Sequence, residues 1–246
     1  MRKLGYVFFA FLFLASCAGG DKDKAVTKKG DTLKKEKPEV TKSLSALEKN
    51  CLSAGLVDVH KLDTMIAVEL KYSTRDNFMG SDMYGDFENA YLQKDVAEKL
   101  VNAEKYITKT KPGYRLIIYD AARPRSIQQK MWDSLKTPFS EKIKYLANPK
   151  TGGLHNYGAA VDISIIDEKG NPLDMGTPFD FMGELASPEY ETKMLREKKL
   201  TKQQVDNRKL LRSAMRNAGF YAIETEWWHF NACTLKQANV KYKIIE

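Results

Sequence analysis

Two short segments carry the residues best suited to hold a metal ion: Leu154-His155-Asn156-Tyr157-Gly158-Ala159-Ala160-Val161-Asp162 and, further on, Glu226-Trp227-Trp228-His229. Between them they offer two imidazoles and a carboxylate, a common ligand set for a catalytic zinc ion, and Glu226 is a spare carboxylate beside the last ligand. Scarcity sharpens this reading, because the chain has only three histidines and two of them fall here. Either pair alone is as consistent with structural hydrogen bonding as with a metal. Jointly, and with a third segment, Asp120-Ala121-Ala122-Arg123-Pro124, they outline a metallohydrolase. The third histidine, His60, lies in the strand-like stretch 57–62 and is read as an ordinary edge or surface residue.

The elements that must position these groups follow from periodicity. Leu92, Val96, Leu100, Ala103 and Ile107 make a helical stripe over 89–110, which stops before Pro112-Gly113. Residues 114–119 form a β-rich run, and a helix over 125–135 begins just after Pro124. Arg123 therefore falls where a strand gives way to a helix, a place where side chains commonly face a cleft. Residues 159–166 predict a core strand closed by a turn at 168–171, with Asp162 on the strand and His155 on the loop before it. Thr201 and Gln204 resemble a capping box, Val205, Leu211, Ala214, Met215 and Ala218 continue that helix, and Gly219 stops it. Residues 220–223 then begin the strand or loop that delivers Glu226 and His229. Adjacent Trp227 and Trp228 face opposite ways on a strand, so at most one lines a cleft. Too few helices alternate with the strands for a parallel sheet, which predicts one α+β domain with a mainly antiparallel sheet and flanking helices.

The chain starts with Arg2 and Lys3, an apolar run over 4–14 and Leu14-Ala15-Ser16-Cys17. This resembles a bacterial lipoprotein signal, which implies cleavage after residue 16 and acylation of Cys17. Residues 17–45 are then a polar linker with almost no large apolar side chain, unable to bury enough surface to order itself. Its eight lysines against five acids, with Arg2 and Lys3, carry most of the formal net charge of +8 and leave residues 46–246 with only +3. The basic balance belongs to a solvated leash with no interleaved aromatics, which argues against a nucleic-acid partner. Membrane attachment is expected through the lipid alone, in the periplasm and on the outer membrane under the usual sorting rule. Residues 46–246 suffice for one domain with a sizeable core. Cys51 and Cys233 are either a disulfide joining the ends of that domain or two free thiols. The oligomeric state is not readable.

The pattern His155-x2-Gly158-x-Ala160-x-Asp162 with Glu226-x-x-His229 resembles the zinc D,D-peptidases related to the D-alanyl-D-alanine dipeptidases of the VanX type. Arg75-Asp76-Asn77-Phe78, Asp120-x-x-Arg123-Pro124 and Met175-Gly176-Thr177-Pro178-Phe179-Asp180 match further segments of that family, in order, from about residue 55 to 235. The resemblance implies a hedgehog/D,D-peptidase-like fold. It also implies one Zn2+ per chain held by His155, Asp162 and His229, with the fourth position left to a water whose pKa falls toward about 7. Glu226 is implied as the general base and then acid, in preference to the nearby Glu224. Arg123 is implied as donor to the oxyanion, against the alternative of a structural pair with Asp120. Asp180 is implied as the partner of the substrate's free ammonium and Asp174 as structural. The implied substrate is a small D,D-dipeptide, D-alanyl-D-alanine. A D,D- or L,D-carboxypeptidase or endopeptidase on peptidoglycan stems, or a non-catalytic wall-peptide-binding lipoprotein, is the alternative. One position departs from the pattern: Gly153 stands where the family has a serine that helps hold the substrate carboxylate. Thr151 or a backbone N–H of Gly152-Gly153 is the nearest substitute.

Overall fold

A computed structural model describes residues 43–143 and 146–246. Cys17, the 1–16 signal and nearly all of the 17–45 linker lie outside the described residues. Strands run over Leu56–Asp58 (β1), Ala67–Val68 (β2), Tyr91–Gln93 (β3), Arg115–Asp120 (β4), Ala160–Ile166 (β5), Tyr221–Ala222 (β6) and His229–Asn231 (β7). Helices run over Ala46–Ser53 (α1), Lys94–Thr110 (α2), Arg125–Ser134 (α3), Phe139–Lys142 (α4), Glu191–Arg196 (α5), Lys202–Asn217 (α6) and Leu235–Lys241 (α7). The main sheet has the order β2-β4-β5-β7-β6, and only β2 and β4 pair in parallel. This is the α+β, mainly antiparallel architecture expected from the sequence.

Strand β5 is its centre, with all seven residues buried. Val161, Ile163 and Ile165 pack into the core, and Asp162 and Ser164 are the polar interruptions of an otherwise apolar run. The register places Asp162 directly opposite Asp120 of β4 on one side and His229 of β7 on the other. Directly opposed residues share a face with Cβ atoms about 5 Å apart, so strand pairing alone brings this carboxylate and this imidazole together. Helix α2 buries its predicted stripe against β4 and α6. Helix α6 carries the Thr201/Gln204 capping box and ends before Gly219, at φ +85.

Three expectations are corrected. The predicted helix at 89–110 begins only at Lys94, because Tyr91, Leu92 and Gln93 are buried as a strand pairing with β1. The stretch 57–62 is strand only to Asp58, whose side chain accepts from the His60 N–H and caps a 3-10 turn over Val59–Lys61. His60 Nε2 bonds the Ile66 carbonyl at 2.9 Å, away from the site. The disulfide alternative fails, since both thiols are free. Cys51 lies in the main core, where burial, reinforced by Glu48, pushes its thiol up to about 12, while Cys233 packs on a separate small cluster around Tyr157 and Ala159.

Candidate active site

His155 arrives on a 3-10 turn over Leu154–Tyr157, Asp162 from β5 and His229 from β7. Gly158 ends the turn in the left-handed region at φ +62, and a Cβ there would fall 2.6 Å from Leu56 Cδ2. Only glycine fits both the conformation and the space, which accounts for the glycine of the motif. Asn156, fully buried, then staples the turn in place. Its amide donates to the Arg123 carbonyl and accepts from the Gly153 N–H, both at 2.7 Å, while the Arg123 N–H donates to the His155 carbonyl at 2.9 Å.

Asp162 Oδ1 lies 3.4 Å from His155 Nε2 and 3.0 Å from His229 Nδ1, and the two nitrogens are 3.2 Å apart. The outer nitrogens are engaged elsewhere: His155 Nδ1 donates to the Ala121 carbonyl at 2.7 Å, and His229 Nε2 donates to Asn231 Oδ1 at 2.8 Å. With a cation among them, each ring would keep its proton on this outer nitrogen and turn a lone pair inward, the arrangement that outer partners of metal-binding histidines impose. Two lone pairs facing each other beside a carboxylate repel unless a positive charge sits among them. A proton can meet the same need: burial opposes charge on both Asp162 and His229, yet their attraction wins. Asp162 is held far below the usual carboxylate range, first by His155 and then by His229, and His229 is pushed up to about 9, chiefly by Asp162. These donors fit a divalent cation: their atoms lie within 4.8 Å of one another, and they form the one such cluster among the described residues.

Around this cluster a cleft of about 450 Å³ opens. Glu226 lines it, half-buried, with Oε2 4.0 Å from His229 Nδ1; burial pushes its carboxyl up, Asp162 adds to the rise, and His229 opposes it. Glu224 is exposed and absent from the lining. Arg123 makes the structural pair with Asp120 and also lines the cleft. Its Nε and Nη2 donate to Asp120 Oδ2 at 3.0 and 2.5 Å, while its Nη2 stands 3.8 Å from Asp162 Oδ2 at the cleft wall. Asp120 is itself held by the Tyr84 hydroxyl at 2.6 Å, and the guanidinium lies over the Tyr72 ring. Asp180 lines the same cleft, beside Tyr72. Its carboxylate accepts from the Tyr72 hydroxyl at 3.2 Å and the Phe78 N–H at 3.3 Å, and burial, with Asp162 adding, pushes it up to about 8. Trp228 lines the cleft, whereas Trp227 turns away and donates to Thr177 Oγ1 at 2.8 Å.

The substitutes expected for the missing serine are not available. The Thr151 and Gly152 N–H groups and the Thr151 hydroxyl all donate to the Asn148 carbonyl, and the Gly153 N–H donates to Asn156. A Cβ at Gly153 would lie 2.7 Å from Ala147 Cβ, so the neighbouring chain fills the space a serine needs. Sequence reasoning also missed Asn156, Asn231 and the role of Tyr72. Only Asn231 left a signal: two residues beyond His229 on a strand, it must share that ligand's face.

Two histidines and a carboxylate, turned inward in a buried cleft with a free carboxylate at one side, define a mononuclear metallohydrolase site. A family model described as D-Ala-D-Ala dipeptidase matches residues 52–245. A D-alanyl-D-alanine dipeptidase of Escherichia coli strain K12 is 33% identical over 175 residues, covering 71% of this chain and 83% of that protein. Proteins of the same description from Synechocystis and Enterococcus faecium are 30% and 28% identical, over 57% and 66% of this chain and 68% and 83% of their own lengths. The chain belongs to the D-Ala-D-Ala dipeptidase family and is a metallopeptidase.

Proposed function

We propose that this protein hydrolyses the D-alanyl-D-alanine dipeptide to D-alanine with one zinc ion held by His155, Asp162 and His229. The observation that carries the reading is the position of Asp180, a buried carboxylate on the wall of the same cleft as the metal cluster and Glu226. Such an anion favours a substrate whose free ammonium reaches it and penalises an acylated chain that would bury it without a partner. A zinc ion at the cluster supplies Lewis acidity toward water and the peptide carbonyl. The protein's groups do the rest. Glu226 takes a proton from the attacking water and returns it to the departing amine, a role suited to a carboxyl with a raised pKa. Arg123, fixed in orientation by Asp120 and Gln128, donates to the carbonyl oxygen as negative charge develops there. Trp228 walls the cleft and keeps it dry.

The same reading places the enzyme in the cell envelope, tethered through acylated Cys17 by the leash, with wall-derived D,D-dipeptide as the small-molecule partner. Supporting this are the positive start, the short apolar run and the small residues ahead of Cys17. Mass spectrometry of the N-terminal peptide from membrane fractions tests the tether; an unmodified Cys17 there refutes it. The substrate is tested by D-alanine release from D-Ala-D-Ala and from its N-acetylated form, using protein loaded with zinc. Preference for the free dipeptide is expected. Preference for the blocked peptide makes the protein a carboxypeptidase.

A further inference from the structure

Asp180 is a non-glycine residue with φ +61, a strained conformation that persists only where its surroundings hold it. Tyr72 and Phe78 hold its carboxylate, and helix α6 holds both ends of its loop. Arg208, with no exposed surface, donates from Nε to the Met175 carbonyl at 2.6 Å and from Nη2 to the Leu185 carbonyl at 2.9 Å. These carbonyls lie on the two stems of the loop whose middle is Asp180, so a single guanidinium ties both together. Neighbours on the helix strengthen the hold on the first stem: Asn207 donates to the Asp174 carbonyl and Gln204 to the Asp174 carboxylate, each at 2.8 Å. Gly176, at φ +84, lies so close to this surface that a Cβ would meet Leu200 Cδ2 at 2.3 Å.

Burying a guanidinium carries a desolvation penalty and is a poor way to gain stability alone. Arg208 meets that cost incompletely, because its Nη1 has no hydrogen-bond partner and stands 3.7 Å from Glu191, which Arg212 already grips with two bonds of 2.7 and 2.6 Å. What the arginine provides is a rigid planar fork that reaches two carbonyls at once, a geometry neither lysine nor an apolar side chain supplies. We propose that Arg208 is the positioning residue for Asp180: by clamping both stems of the 175–185 loop, it sets where the carboxylate meets the substrate's ammonium and thereby fixes the preference for an unblocked amine. This rests on the substrate reading above.

The test uses the full-length, zinc-loaded protein with Arg208→Met and Arg208→Lys, measuring kcat and KM on D-Ala-D-Ala and on its N-acetylated form, zinc content, and amide hydrogen exchange. A misplacement near 1 Å costs up to about a hundredfold in rate terms. The expected result is a KM for the free dipeptide raised about tenfold or more, kcat within about threefold and zinc stoichiometry unchanged. Values on the acetylated substrate stay the same, and exchange rises in 176–184 but not around His155 or His229. In an Asp180→Asn background, Arg208→Lys adds less than about twofold. A lower melting temperature with unchanged KM, equal losses on both substrates, or full additivity with Asp180→Asn would overturn it. If Arg208→Met does not fold, Arg208→Lys decides alone. If wild-type protein shows no preference for the free amine, the substrate reading fails, and unchanged exchange in 176–184 in the Arg208 variants would separately refute the clamp.

Discussion

Replacing Asp180 with asparagine isolates one charge. Asparagine matches aspartate in shape and tolerates the left-handed φ of +61 as well as aspartate does; with its oxygen toward the Phe78 N–H, its NH2 donates to the Tyr72 hydroxyl oxygen in place of the bond aspartate accepts there. Removing one partner of a buried, hydrogen-bonded charge pair costs about 2–5 kcal/mol. The wild-type carboxyl, however, is pushed up to about 8 by burial and Asp162, and must ionise to receive an ammonium. At pH 7 that takes back about 1.4 kcal/mol, one pKa unit. The remainder of about 0.6–3.6 kcal/mol corresponds to a fall in kcat/KM of roughly three- to five-hundredfold on the free dipeptide. Kinetics from an oxidase-coupled D-alanine assay, at matched zinc content, read this directly, and activity on the N-acetylated dipeptide should hold or rise. An asparagine variant within twofold of wild type on the free dipeptide would show that Asp180 does not hold the ammonium, and the argument from the cleft to a dipeptidase would collapse.

Glu226→Gln should keep one zinc per chain and lower kcat by about 10²–10⁴, the usual worth of a general base; full turnover would remove Glu226 from the mechanism. Asn231→Ala frees His229 to rotate or change tautomer, and zinc affinity measured by competition with a chelator should fall about 10- to 100-fold, with an unchanged affinity marking that hydrogen bond as incidental. Glu104, buried beneath β4 with Oε1 unpartnered, has its pKa raised from 4.5 to about 7, mainly by burial with the Leu116 N–H opposing. A raised carboxyl stabilises the fold fully below pH 4.5 and loses that contribution as pH climbs through 7. Urea denaturation should therefore show wild type losing up to about 3 kcal/mol across this range relative to Glu104→Gln, and parallel pH profiles would exclude it.

What the sequence made readable was chemistry with a rigid spacing. His155 and Asp162 are carried by one turn and one strand, and Glu226 precedes His229 by three residues, so local pattern nearly suffices for them. Strand β5 and helices α2 and α6 were readable for a similar reason, since each buries a periodic apolar set large enough to outweigh local preferences. The first turn of α2 was not, because pairing of Tyr91 and Leu92 with β1 depends on a strand some thirty-five residues earlier. Asn156 and Arg208 were unreadable because their work is done on backbone carbonyls and N–H groups, which carry no side-chain signature. The space at Gly153 was set by Ala147, a neighbour that no motif includes.

The placement of Asp162 opposite His229 also bears on how the chain finds its fold. β7 has three residues and β6 two, too short for their pairing to be strongly fixed by packing alone. A slip of one residue would turn His229 to the far face of the sheet, and a slip of two would bring Asn231 beside Asp162 instead. Neither arrangement can complete the ligand set. A cation that binds only the correct pairing favours it by mass action, so the ion needed for hydrolysis would also proofread the assembly of the sheet edge while the protein matures.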